Sequence, residues 1–143
     1  MAQQNIGAVA RNTSPRSVRV YSDLSLDLTL NPITKDVTIL KDVEAVKRSV
    51  RNLVNTNHFE RPFHPEIGGD VRALLFELVT PLTALQLERK IEEVLVNFEP
   101  RCKLNQVVVK DDMDSNGYRV FISFYVLNIP EPVTVETFLE RLR

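Results

Sequence analysis

From Leu24 the chain alternates. "LSLDLTL" sets Leu24, Leu26, Leu28 and Leu30 at every second position with Ser25, Asp27 and Thr29 between them, the period of a half-buried strand. "NPITKD" follows as a turn, and "VTIL", residues 37–40, is suited to pairing back as a short second strand. The period then becomes helical: Val43, Val46, Val50 and Leu53 share one face, with Glu44, Lys47, Arg48 and Arg51 largely on the other. Asp42 is a suitable N-cap for this helix, which is expected to end near Asn55.

"TNHFERPFHPEIGGD" breaks the pattern. Its two prolines restrict φ at Pro62 and Pro65 while Gly68 and Gly69 free it, which predicts a shaped loop carrying Phe59 and Phe63. Loop phenylalanines usually tuck onto the core, and an exposed one marks a contact surface. Asp70 is placed to cap a short helix with Val71, Leu74, Leu75 and Leu78 inward. In "TPLTALQLERKIEEVLVNFEPR" the Thr83 and Gln86 pair has capping-box spacing, and Leu87, Ile91, Val94, Leu95 and Phe98 form the apolar stripe of a helix of about four turns. Pro100 pushes Glu99 out of the α region, so the helix stops there and Arg101 begins an extended run.

The remainder predicts a hairpin, "VVVK" and "YRVFISFYVLN", turning at Asn116-Gly117, the dipeptide most favoured in two-residue turns. Tyr118, Val120, Ile122, Phe124 and Val126 fall on one face. Phe121, Tyr125 and Leu127 fall on the other, which implies a strand covered on both sides, by helices of this chain or by something from outside. The tail "IPEPVTVETFLERLR" is expected to be extended at its front because Val-Thr-Val is β-branched. Together these elements predict an α+β domain: about three helices on a small, mostly antiparallel sheet, with extended N- and C-terminal arms. The expected divisions are an arm over 1–22, a single domain over 23–130 and a C-terminal arm over 131–143.

Charge and composition narrow the class of function. The chain has 143 residues, enough for one domain, and 18 basic against 19 acidic side chains. Near-neutrality argues against a protein that binds nucleic acid with its whole surface. Its apolar runs are far shorter than the roughly 18 to 20 residues a membrane helix needs. The first 22 residues hold Arg11, Arg16 and Arg19 and no acidic residue, which reads as a basic arm that orders, if at all, on a partner. One cysteine, Cys102, excludes an internal disulfide and fits a reducing compartment.

Candidate chemistry is sparse. "DDMDSNG" opens like a calcium loop, but its twelfth position is Ser123, where a bidentate Glu is required. His58 and His64 lie near Glu60 and Glu66 without metal-ligand spacing, so no metal or cofactor is expected. A glycosidase would need a carboxyl pair, for which Glu66, Glu99 and Asp70 are the candidates. Arg101 two residues from Glu99 would lower that carboxyl's pKa, and the chain has no Trp to line a sugar cleft.

The order "ERPFHPEIGGDVRALLFE", "TPLTALQLERKIEEVLVNFEPR", "VVV" and a hairpin resembles the baseplate wedge and sheath-initiator family of contractile-tailed bacteriophages, which is similar to a baseplate subunit of type VI secretion systems. The resemblance covers roughly Val43 to Asn128, and the first 40 or so residues match less clearly. It implies a non-enzymatic part of the virion tail, assembled in the host cytoplasm around the tail tube, with neither nucleic acid nor membrane as partner. Glu99, Pro100 and Arg101 would contact a helical bundle of the other wedge proteins. The loop beside them, with Arg61, Pro62, Phe63, Pro65, Glu66 and Gly68, would share that contact. The hairpin and C-terminal arm would exchange strands with the first ring of tail sheath protein. Some members of the family carry a lysozyme-like label, which keeps a cell-wall hydrolase of the tail as the alternative.

Overall fold

The computed structural model describes residues 21–142. The basic arm expected at the N-terminus therefore lies, except for its last two residues, outside the described residues. The elements are β1 (Ser22–Leu24), β2 (Ile39–Lys41), α1 (Asp42–Asn55), α2 (Val71–Leu74), α3 (Pro81–Phe98), β3 (Cys102–Asp112), β4 (Gly117–Val126) and β5 (Pro132–Glu140). Two antiparallel sheets result, β1-β2 and β3-β4-β5, and the α+β class is as expected.

The three-stranded sheet is a meander whose register stacks Val107, Ile122 and Val135 in one row. Its inner face buries Tyr118, Val120, Ile122, Phe124 and Val126 against Val46, Val50, Leu87, Ile91 and Leu95 of α1 and α3. The Tyr118 hydroxyl donates to the Leu78 carbonyl at 3.3 Å, so this buried ring keeps its polar end satisfied. The outer face stays open: Tyr125 is 37% and Phe138 46% exposed. Helices thus cover one face of β4, not two, among the described residues. The segment expected as a C-terminal arm is extended and bound into the sheet as β5, after which Leu142 N–H donates to Leu75 O and Arg141 Nε to Glu77 O, both at 2.9 Å.

The β3-β4 turn differs from the expected two-residue form. Asp112 pairs with Gly117, leaving a four-residue loop in which the Asp112 carboxylate accepts the Ser115 N–H at 3.1 Å and Asn116 takes φ 50°. Gly117 is instead required by packing: a Cβ there would stand 2.6 Å from the Leu139 carbonyl oxygen and 2.6 Å from the Phe138 ring.

Two helix starts also move, and a third lacks its expected side-chain cap. Lys41, not Asp42, occupies the capping position of α1. Asp42 clasps the incoming chain, accepting the Tyr21 N–H on Oδ1 at 3.2 Å and donating its own N–H to Tyr21 O at 2.7 Å. At α3 the Thr80 hydroxyl accepts the Thr83 N–H, and Pro81 starts the helix three residues earlier than expected because its missing N–H and fixed φ suit that position. Asp70 stands before α2, but its carboxylate accepts the His58 N–H at 3.1 Å instead of capping. Leu78, expected inward, is 69% exposed.

The leucine strand is interrupted. Leu24 pairs with Ile39 and Leu30 with Val37, but Ser25 N–H donates to Thr38 O and Thr38 N–H to Thr29 O, so Leu26, Asp27 and Leu28 loop out with Leu28 at φ 50°. The looped-out triplet breaks the alternation, and the ribbon buries Ser25 while its leucines face solvent.

Candidate functional site

The triplet after α3 forms the most tightly organised polar site. Glu99 leaves the helix at φ −122°, as the following proline requires, while its N–H still donates to Leu95 O at 3.0 Å. The turn over exposed Pro100 swings Arg101 back onto it. Arg101 Nε donates to Glu99 Oε1 at 2.7 Å, its Nη2 to Oε2 at 2.8 Å, and its backbone N–H to Oε1 at 3.3 Å. This is the parallel two-bond fork that gives guanidinium–carboxylate pairs both strength and fixed geometry.

The two charges differ sharply in burial: the Glu99 side chain is 2% exposed and that of Arg101 28%. The guanidinium carbon of Arg101 lies 5.9 Å from the centre of the Tyr21 ring, so the residue just before β1 forms one wall of the site. Burial pushes the Glu99 carboxyl up, but the hydrogen bonds from Arg101, a contribution from the Ser49 hydroxyl and the Arg101 charge outweigh it and hold the group below the usual glutamate value. A carboxylate so held is an anion at neutral pH and cannot serve as a general acid.

Because its folded-state pKa is depressed, Glu99 contributes stability that is fully present above the ordinary carboxyl value of 4.5 and lost as pH falls through the folded value. Chemical denaturation of wild type and Glu99→Gln at pH 7 and pH 3 checks this. The wild type should lose more stability on acidification than the variant, whose side chain does not titrate.

Cys102, next in the chain, is half-buried with its Sγ 3.5 Å from the Glu99 carbonyl oxygen. Burial and then the Glu99 charge push its pKa up to about 11. It is a thiol at neutral pH, not a nucleophile. Iodoacetamide should label it slowly in the folded protein and rapidly in urea, a ratio that mass spectrometry reads directly.

The loop carrying the remaining candidates is a separate construction. Arg61, Pro62, Phe63, Pro65 and Glu66 are exposed and Gly68 is buried. The loop is closed by its own bonds, Phe59 N–H to Pro65 O at 2.9 Å and Asn57 N–H to the Glu60 carboxylate at 2.8 Å, and is tied to the end of α1 by Gly69 N–H to Thr56 O at 3.2 Å. Gly68, at φ +153°, lies so near Asn57 that a Cβ would come within 2.5 Å of its backbone. Phe59 and Phe63 do not tuck inward; they are 84% and 90% exposed. Gly69 packs on Val94 of α3, five residues before Glu99, or about 7 Å along the helix axis. No hydrogen bond or ion pair joins loop and triplet among the described residues.

The two histidines are paired to carboxylates within the loop, His64 Nδ1 to Glu66 at 3.1 Å and His58 Nε2 to Asp70 at 3.9 Å. Surface depressions of about 300 Å³, lined by Ser115, Arg119, Glu136 and Phe138, and about 360 Å³, along Asn31 to Lys41, contain none of Glu66, Asp70 or Glu99. Sequence reasoning missed Tyr21 and Ser49. The first has no periodic signal at the edge of the arm, and the second is one small residue on an amphipathic helix.

Residues 41–130 match the family model described as baseplate wedge protein gp25. The baseplate wedge protein gp25 of Enterobacteria phage T4 is 35% identical over 115 residues, which span 80% of this chain and 86% of the T4 protein. A chain in the baseplate of the anti-feeding prophage superposes with a TM-score of 0.66 at 27% identity, covering 78% of this chain and 90% of that one. A Geobacter sulfurreducens protein described as a candidate tail lysozyme has the same fold, with a TM-score of 0.64 at 20% identity over 70% of this chain and 91% of its own. The matched segment runs from the start of α1 to the end of β4 and includes the loop, the fork and the hairpin, so the chain belongs to the gp25 family of baseplate wedge proteins.

Proposed function

We propose that this chain is a non-catalytic part of a tail baseplate that docks through Arg101 and the Arg61–Gly69 loop on helices of other wedge proteins, and that its β3-β4-β5 sheet starts the sheath by exchanging strands with the first ring. The observation that carries the docking reading is the fork itself. Buried Glu99 fixes Nε and Nη2, and the other amino group of Arg101 has no hydrogen bond among the described residues. A guanidinium held this way loses little rotamer freedom when a partner's carbonyl or carboxylate meets it.

The loop supplies the apolar share: exposed phenylalanines on a frame closed by hydrogen bonds keep their position before binding. For sheath initiation the support is the meander, whose last strand, β5, pairs among the described residues only with β4, its other edge being suited to strand addition. A hydrolase finds no support in Glu99, which is ionised and occupied.

Reconstitution tests the proposal. Purified chain is added to the other wedge proteins and sheath subunit of the same phage, with peptidoglycan release assayed in parallel. Sheath growth that depends on the chain, without released sugar, is the expected result; release of sugar by the chain alone would overturn it.

A further inference from the structure

The open face of β3-β4-β5 holds more apolar surface than a strand face kept in water. Register sets Val108, Phe121 and Glu136 in one cross-strand row and Lys110, Arg119 and Phe138 in the next, with Lys103, Tyr125 and Pro132 toward the other end. Side-chain positions agree with that register. Lys110 Nζ lies 5.8 Å from the centre of the Phe121 ring, and Arg119, Glu136 and Phe138 line one surface depression of about 300 Å³. Aromatic rings and a valine thus run along a face that no helix covers among the described residues, where an antiparallel sheet in contact with water alternates to polar side chains.

The charges on this face are sorted by strand. Lys103 and Lys110 stand on β3, Glu136 and Glu140 on β5, and these side chains have no ion-pair partner among the described residues. Arg119 of the middle strand is neutralised within the chain, its Nε 3.0 Å and its Nη2 2.9 Å from Asp112 Oδ2. The face as a whole therefore balances, Lys103, Lys110 and Arg119 against Asp112, Glu136 and Glu140, but it is basic along one edge and acidic along the other. Such a surface is complementary to itself turned over.

We propose that a second copy of this chain covers it, the two outer sheet faces packing about a two-fold axis parallel to the strands. Rotation about that axis leaves β4 over β4 and lays β3 of each copy on β5 of the other. Lys110 then stands over Phe138 of the second copy, with Glu136 and Glu140 one same-face position to either side, about 7 Å along the strand. The depression beside Phe138 receives the lysine stem, and Val108, Phe121 and Tyr125 close the centre against their counterparts, as the inner faces of an aligned sandwich do. A two-fold axis running across the strands would instead set β3 on β3 and oppose like charges.

The size of the face sets the strength expected. β4 has 10 residues, and at about 3.4 Å per residue and about 4.8 Å per strand the three strands project roughly 500 Å², the small end of specific interfaces. Self-association with a dissociation constant on the order of tens of micromolar follows. The pair uses neither Arg101 nor the outer edge of β5, so it stands apart from the docking and strand-exchange readings.

Sedimentation equilibrium of the full chain tests this at concentrations from about 5 to about 500 μM, a span around that constant. Wild type should pass from monomer to dimer. Lys110→Glu, which puts a carboxylate over Glu136 and Glu140, should raise the dissociation constant roughly tenfold or more, and Glu136→Lys, the reversal from the acidic side, should weaken the pair likewise. Lys110→Glu/Glu136→Lys exchanges the signs and should recover most of the loss. Thermal melts near the lowest concentration should coincide for all four proteins, because both side chains are exposed. A wild type that stays monomeric to the highest concentration overturns the proposal and leaves the face to a different chain. Dimers that persist unchanged in Lys110→Glu form through another surface and overturn it equally, as does a double variant that associates no better than the single ones.

Discussion

Arg101→Ala is expected to destabilise the folded domain by about 3–5 kcal/mol, the range for removing one partner of a buried pair. The reason is the inequality of burial across the fork: the substitution removes the 28% exposed partner and leaves the 2% exposed carboxylate without its counter-charge. Glu99 must then take up a proton or draw water into the corner between α3 and β3, and either response costs free energy. Removing both charges together is much milder. Glu99→Gln/Arg101→Met keeps the volume and a polar group able to accept the Arg101-position backbone N–H, so its cost should stay within about 1–2 kcal/mol. Urea denaturation of the three proteins at pH 7 measures both. A wild-type midpoint for Arg101→Ala would show that the fork, despite its distances, holds little of the fold together.

Gly117→Val should have the second largest effect, about 1–3 kcal/mol, the usual cost of overpacking. The atoms a side chain would strike differ in how they can yield: the Phe138 ring can rotate, whereas the Leu139 carbonyl oxygen, 2.6 Å from the new Cβ, is main chain of β5. Relief therefore requires the end of β5 to lift from β4 where Gly117 pairs with Glu140 and Tyr118 with Leu139. Buried Leu139 would be drawn out with it. Hydrogen exchange should rise across residues 137–140 while the amides of α1 and α3 stay protected. Unchanged protection in β5 would mean that glycine is not needed for the strand's approach. If β5 serves as the strand-exchange edge, the same variant should also lower sheath growth in the reconstitution.

Much of this fold is legible in the sequence where one residue's chemistry decides the backbone. Pro100 ends α3 because it restricts Glu99, and the helical stripes place Val46, Val50, Leu87 and Ile91 in the core because nothing competes with their burial. The failures share a different cause, that a local signal had a rival. Asp42 and Asp70 have the residue type of an N-cap, but each carboxylate finds a distant N–H, Tyr21 and His58, that tertiary contact brings nearer. Asn116-Gly117 signals a tight turn, yet the glycine is needed for the approach of β5, which no hairpin rule contains.

The leucine alternation predicts burial because period two assumes that every residue of the run pairs. Three looped-out residues defeat that assumption, and only the pairing partner, Thr38, reveals them. At the candidate site the Glu-Pro-Arg spacing shows that the two charges can meet. It does not show that one is buried under the other, which depends on Tyr21 and Ser49 arriving from elsewhere in the chain.

If Arg101 is a docking point as well as half of a structural pair, the folded Glu99→Gln/Arg101→Met protein separates the two roles. Its dissociation constant for the purified wedge proteins, measured beside wild type at a pH where both are fully folded, should be roughly tenfold or more weaker. Equal affinity would leave Glu99 and Arg101 as a bolt between helix and sheet, with docking carried elsewhere.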